Sequence, residues 1–143
     1  MRISGCIVAV AMLVGITGPM TPGWAAPSLE SSVWLTTVTP DQAARAAGQL
    51  PFDDRLSFSD GKVLSRAADK KGFMATTYIL SEIRPGTMSL TIQQQSLRQG
   101  NMVWTLDVAG PAMQGMLVWT TPEGDHRTFA VVGHRESGPA PSP

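Results

Sequence analysis

The side chains best suited to acid-base or metal chemistry near neutral pH are two histidines, His126 and His134. On one extended strand they would share a face yet stand about 27 Å apart, at about 3.4 Å per residue. That distance excludes a shared metal ion. His126 follows Asp125 in a turn-rich stretch and reads as a solvated loop residue, and His134, near a strand end, reads the same way. Asp53 and Asp54 are adjacent, so strand alternation sends them to opposite faces and they cannot work as a carboxylate pair; Arg55 is their nearby counter-charge. The chain has no Gly-x-Ser-x-Gly elbow, no His-Glu-x-x-His, no phosphate-cradling glycine loop and no calcium loop. No catalytic residues, no cofactor and no metal site are therefore assigned, and an enzyme would have to assemble its site from scattered residues.

Binding chemistry is better represented. Trp104, Trp119, Tyr78, Phe58 and Phe129 are aromatic candidates for a pocket lining, and Met88, Met102, Met116 and Leu90 add apolar surface, methionine adapting to irregular shapes. Against this stands a filled core, because an eight-stranded barrel is just wide enough for its own side chains. Gln93-Gln94-Gln95 with Ser96 could hydrogen-bond a sugar or peptide, and more simply forms a solvated strand end. Lys70-Lys71 and the turn at 83–87 are typical contact points for a protein partner.

These residues need a scaffold. At 143 residues the chain fits one domain with a single core. Met1-Arg2, an apolar run from Ile3 to Ile16 and a Gly/Pro-rich stretch ending Gly23-Trp24-Ala25-Ala26 read as a secretory signal peptide, residues 1–25, cut after Ala25. The run is too short for a bilayer span, which needs about 20 apolar residues. Cleavage removes the lone cysteine, Cys6, so no disulfide or thiolate site is expected in the exported domain, whether periplasmic or secreted. With Arg2 removed, ten of the eleven Lys/Arg remain against eleven Asp/Glu, a net charge of −1 with histidine neutral. That balance argues against nucleic acid or an anionic membrane as partner.

From Asp53 onward, short apolar/polar alternations such as Met88–Gln93 and Met102–Val108 carry the period of sheet buried on one side. Turn glycines at 61, 72, 86, 100, 110 and 124 recur at one strand plus one turn, and Asp60-Gly61 is a two-residue hairpin signal. Strands are expected at about 33–39, 53–59, 62–68, 74–81, 87–95, 101–109, 114–121 and 127–135. A short helix from about Pro40 to Ala47 is expected after the first, with Thr39 as N-cap, Gln42 completing a capping box and Gly48 as stop. Closure removes exposed edges, so residues 26–135 are predicted to form an all-β, single antiparallel up-and-down barrel. Residues 136–143, with three prolines, are expected to be a disordered tail.

Trp34, the helical turn after the first strand, Pro51-Phe52-Asp53, Phe58-Ser59-Asp60-Gly61-Lys62-Val63, Lys71-Gly72-Phe73, Gly115-Met116-Leu117-Val118-Trp119 and a terminal strand together resemble small bacterial exported proteins described as lipocalin-like. Lipocalins carry Gly-x-Trp in the first strand; here Ser32 stands at the glycine position. The resemblance implies a basic residue of the last strand, Arg135 or Arg127, laid over Trp34 to close one barrel end through a cation–π contact. It also implies a binding interior. Two readings follow: a barrel holding a small apolar or amphipathic ligand inside, or a solid-core interaction module contacting another envelope protein.

Overall fold

The computed structural model describes residues 28–136. The expected leader, 1–25, lies outside the described residues, as does the expected tail beyond Glu136. The elements run β1 (Ser32–Pro40), α1 (Gln42–Ala46), β2 (Phe52–Ser59), β3 (Lys62–Ser65), α2 (Arg66–Lys70), β4 (Thr76–Arg84), β5 (Thr87–Ser96), β6 (Gly100–Ala109), β7 (Ala112–Thr120) and β8 (His126–Arg135). Each strand pairs antiparallel with its sequence neighbour. β1 also pairs with β8, from Trp34 opposite Arg135 to Pro40 opposite Phe129, so the sheet closes into an up-and-down barrel.

Local chemistry explains the turns and the faces. Asp60 and Gly61 have φ of 54° and 72°, the positive pair that a tight β2–β3 hairpin requires. Period-2 alternation then sends Trp34, Val38, Leu56, Phe58, Leu90, Ile92, Trp104, Leu106, Leu117, Phe129 and Val131 inward, each buried. Each such burial stabilises the fold by about 1.5–3 kcal/mol. Gly115 sits in β7 where a Cβ would lie 2.1 Å from the Thr105 carbonyl oxygen, so only glycine lets β6 and β7 approach this closely.

Three details differ from the sequence expectation. β1 runs through Pro40, whose missing N–H costs nothing at the strand's last position, and the helix cap is Asp41 rather than Thr39, its Oδ1 accepting from the Ala44 N–H at 2.7 Å. The third strand stops at Ser65, and the expected strand residues 66–68 open α2 instead. Ser65 is its N-cap, its Oγ accepting from the Ala68 N–H at 3.1 Å. Met116 lies on the outer wall, 50% exposed. It and Trp119 have opposite parity on β7, so strand alternation cannot turn both inward, and Met113 and Leu117 hold the inner positions.

The connections carrying α1 and α2 lie at one end of the barrel, where Phe73 and Ala68 are buried among the inward residues. At the other end Leu29, from the lead into β1, is buried in the same cluster. Between the ends, β3 joins β4 through two residue pairs, Lys62–Thr77 and Val63–Thr76, and β4 extends past them to Arg84.

Candidate functional site

The barrel interior brings together most of the expected lining. Phe58, Met88, Leu90, Met102, Trp104 and Phe129 belong to one buried cluster, and Tyr78 and Trp119 pack half-buried against it. They pack against one another. Phe58 meets Tyr78 edge-on with ring centres 5.1 Å apart, and Phe52 meets Phe129 likewise at 6.0 Å. The Trp104 Nε1–H donates to Gln94 Oε1 at 3.0 Å, so Gln94, expected at a solvated strand end, is a buried acceptor that fixes the indole in the core. The space left between α2, Trp104, Met102 and Leu117 measures about 10 Å³, room for about one water molecule.

The opposite end carries the tryptophan that the resemblance singled out. Trp34 is buried and its Nε1–H donates to Ser32 Oγ at 3.0 Å, so Ser32 supplies a hydroxyl partner for the indole that a glycine has no side chain to provide. Arg135 is the cross-strand neighbour of Trp34, exposed at the rim of a groove of about 400 Å³ over the indole, with Met88 and Val108 on its walls. Among the described residues the cation stacked on an indole is a different one: Lys71 Nζ, 4.9 Å from the centre of Trp119. Beside this end Glu30 Oε1 accepts from the Gly61 N–H at 3.0 Å and from the Tyr78 hydroxyl at 2.7 Å. Burial, then the bond to Glu30 and its charge, push the Tyr78 phenol up to about 12.

A further concavity lies outside the barrel wall. A groove of about 840 Å³ runs beside the first half of β2, between α2 and the 48–50 loop. Leu35, Leu50 and Phe52 give it apolar surface, and Arg55, Arg66, Lys70 and Lys71 give it four cations. Leu50 is 76% exposed, a large apolar side chain left uncovered. Asp54, buried on β2, builds the groove wall: its carboxylate accepts from the N–H groups of Arg55 (2.7 Å) and Ala67 (2.8 Å) and from the Ser65 hydroxyl. It thereby ties the first turn of α2 to β2. Asp53, on the outer face, accepts from the Thr37 hydroxyl at 3.1 Å. Arg55 pairs with Glu136 at 2.8 Å rather than with either neighbouring aspartate.

Sequence reasoning named Lys70 and Lys71 as contact points but missed Arg66, Leu35 and Leu50. The available signal was Arg66 and Lys70 at i, i+4, a helical spacing hidden by the reading of 66–68 as strand. The histidines stay apart on the outer face of β8, both exposed, His126 Nδ1 lying 3.0 Å from the Thr120 hydroxyl. Among the described residues no three His, Cys, Asp or Glu side chains converge as a metal site, and no helix is long and apolar enough to cross a membrane.

Fold and site together define a closed eight-stranded antiparallel barrel with a packed interior and a cation-lined groove on its outer wall. No protein-family model, curated protein or solved structure matches the chain.

Proposed function

We propose that the chain is an exported, lipocalin-like barrel that works as an interaction module through its outer surface. The observation that carries this reading is the packing of the interior. Trp104, Leu90, Ile92, Leu106 and Leu117 are all at most 1% exposed, and the space beside Trp104 and Leu117 is about 10 Å³. Small-molecule sites commonly occupy about 300–1,000 Å³, so a ligand seated among these side chains would have to displace them. Opening a core of this density costs several kcal/mol per displaced large side chain. The outer groove, of about 840 Å³, needs no such displacement.

The test uses the W119F variant, in which the described tryptophans left are the buried Trp34 and Trp104. Titration with laurate, retinol or haem is expected to leave their emission unchanged. A saturable shift would restore the interior as the binding site and overturn the reading. Export has its own check: amino-terminal sequencing of the protein recovered outside the cytoplasm should begin at Ala26, and a retained Met1 or Arg2 would refute cleavage.

A further inference from the structure

We infer that the groove between α2 and the 48–50 loop binds an extended acidic peptide segment of a partner protein, recognised by Arg66 and Lys70 and anchored by an apolar side chain against Leu50 and Phe52. The inference rests on the interaction-module reading above and names the partner's chemistry.

Charge decides the sign of the occupant. Four cations line the groove against two carboxylates, and both carboxylates are committed. Asp54 is spent on Arg55, Ser65 and Ala67, and Asp53 on Thr37. Of the cations, Arg55 is held by Glu136 and Lys71 lies on Trp119. Arg66 and Lys70 are exposed and, among the described residues, have no acidic side chain within salt-bridge distance. With Arg55 paired to Glu136, three cations remain in the lining against two carboxylates, so the groove presents a net positive charge to whatever enters it.

Spacing decides the form. Arg66 and Lys70 stand at i, i+4 on α2, which puts their Cβ atoms about 5–6 Å apart on one helix face. Acidic side chains two residues apart on an extended chain also share a face, about 6.8 Å apart. A Glu-x-Glu segment can therefore engage both cations at once, whereas adjacent glutamates point to opposite sides. The apolar surface is divided among Leu35 from β1, Leu50 from the loop and Phe52 from β2, with Asp53 next to Phe52 and Arg55 directly opposite Leu35. Apolar patches interleaved with charge match alternating side chains of a peptide better than one continuous alkyl chain. The open form agrees, since small-molecule pockets bury about 70–90% of their ligand and Leu50 is left 76% exposed.

The test is fluorescence anisotropy of the full chain with a labelled peptide, Phe-Gly-Glu-Ser-Glu-Gly-Phe, against its isomer of equal charge, Phe-Gly-Glu-Glu-Ser-Gly-Phe. The first is expected to bind, about tenfold more tightly than the second, and weakening as salt is raised. R66E/K70E is expected to reduce its affinity at least about tenfold, with far-ultraviolet circular dichroism unchanged because both side chains are exposed. L50S should weaken both peptides alike by removing the apolar anchor. Equal affinity for the two isomers, binding indifferent to R66E/K70E, or displacement of the peptide by laurate with a larger effect on the chain than the peptide itself has, each overturns the inference. Absence of peptide binding while the W119F emission stays silent towards apolar ligands removes this groove and leaves the interaction-module reading in place; a W119F response removes that reading too.

Discussion

Glu30 is the residue that ties the lead of the chain to the wall beyond β3. Its carboxylate bridges the β2–β3 turn at Gly61 and the Tyr78 hydroxyl on β4. The same bridge sets a measurable titration. With desolvation first and the Glu30 contact second, the Tyr78 phenol is raised from 10.0 to about 12. A proton held more tightly in the folded state stabilises the fold fully below pH 10, and that contribution is lost as pH rises from 10 to 12. Phenolate absorbance should therefore titrate near 12 in the native protein, and E30Q should lower that value towards 10. The fall in urea midpoint between those pH values should be shallower in E30Q than in the parent. An unaltered Tyr78 titration in E30Q would show that burial alone sets it.

At the scale of elements, α2 is the piece whose existence rests on one buried carboxylate. A five-residue helix has too few internal bonds to stand alone. Asp54 supplies what it lacks by accepting from Ala67 N–H and from the Ser65 hydroxyl, which in turn caps Ala68. D54A would leave the Arg55 and Ala67 N–H donors and the Ser65 hydroxyl without this acceptor, at a cost of about 2–3 kcal/mol. The expected outcome is a lower urea midpoint with little change in slope, together with loss of peptide binding as Arg66 and Lys70 lose their placement. D53A, on the outer face with one bond to Thr37, should change stability by less than about 1 kcal/mol.

The same pair of residues shows how far the sequence could be read. Alternation alone says that Asp53 and Asp54 face opposite ways, and they do, one exposed and one buried. It does not say that Ser65, eleven residues later, turns back to meet Asp54. The strands and the hairpin at Asp60-Gly61 were legible because their signals are local: a period of two and a positive-φ pair. α2 was not, since Val63-Leu64-Ser65 begins as a strand and the switch is made by the distant carboxylate. Met116 was misplaced for a related reason. Gly115 interrupts β7, and the apolar residues Met116, Leu117, Val118 and Trp119 offer both parities, leaving β6 and β8 to choose between them. The groove follows α2, so it was invisible until the helix was placed.

At the scale of the whole molecule, the barrel is not equally strong around its circumference. β5 and β6 pair along their full length, from Thr87–Ala109 to Ser96–Gly100, and β1 and β8 close the sheet over Trp34 to Pro40. The β3–β4 junction has only Lys62–Thr77 and Val63–Thr76, and beyond it β4 has β5 on one side from Tyr78 to Arg84. Outward-facing Ile79 and Ile83, 68% and 51% exposed, lie on that stretch, and the β4–β5 register shifts between Glu82 and Arg84. Charges and bulges are what natural sheets use to keep such an edge from pairing with another chain, and Glu82, Arg84 and the shift supply them here. Backbone amides bonded to a neighbouring strand exchange slowly, while those that face water exchange at low opening cost. Between Ile79 and Arg84, the alternate amides turned away from β5 should therefore exchange at least about a hundredfold faster than those of Leu90, Ile92 and Leu106, as read by hydrogen exchange with nuclear magnetic resonance. Uniform protection across β4 would mean that something seals the seam, and would make this edge rather than the groove the first place to look for a partner.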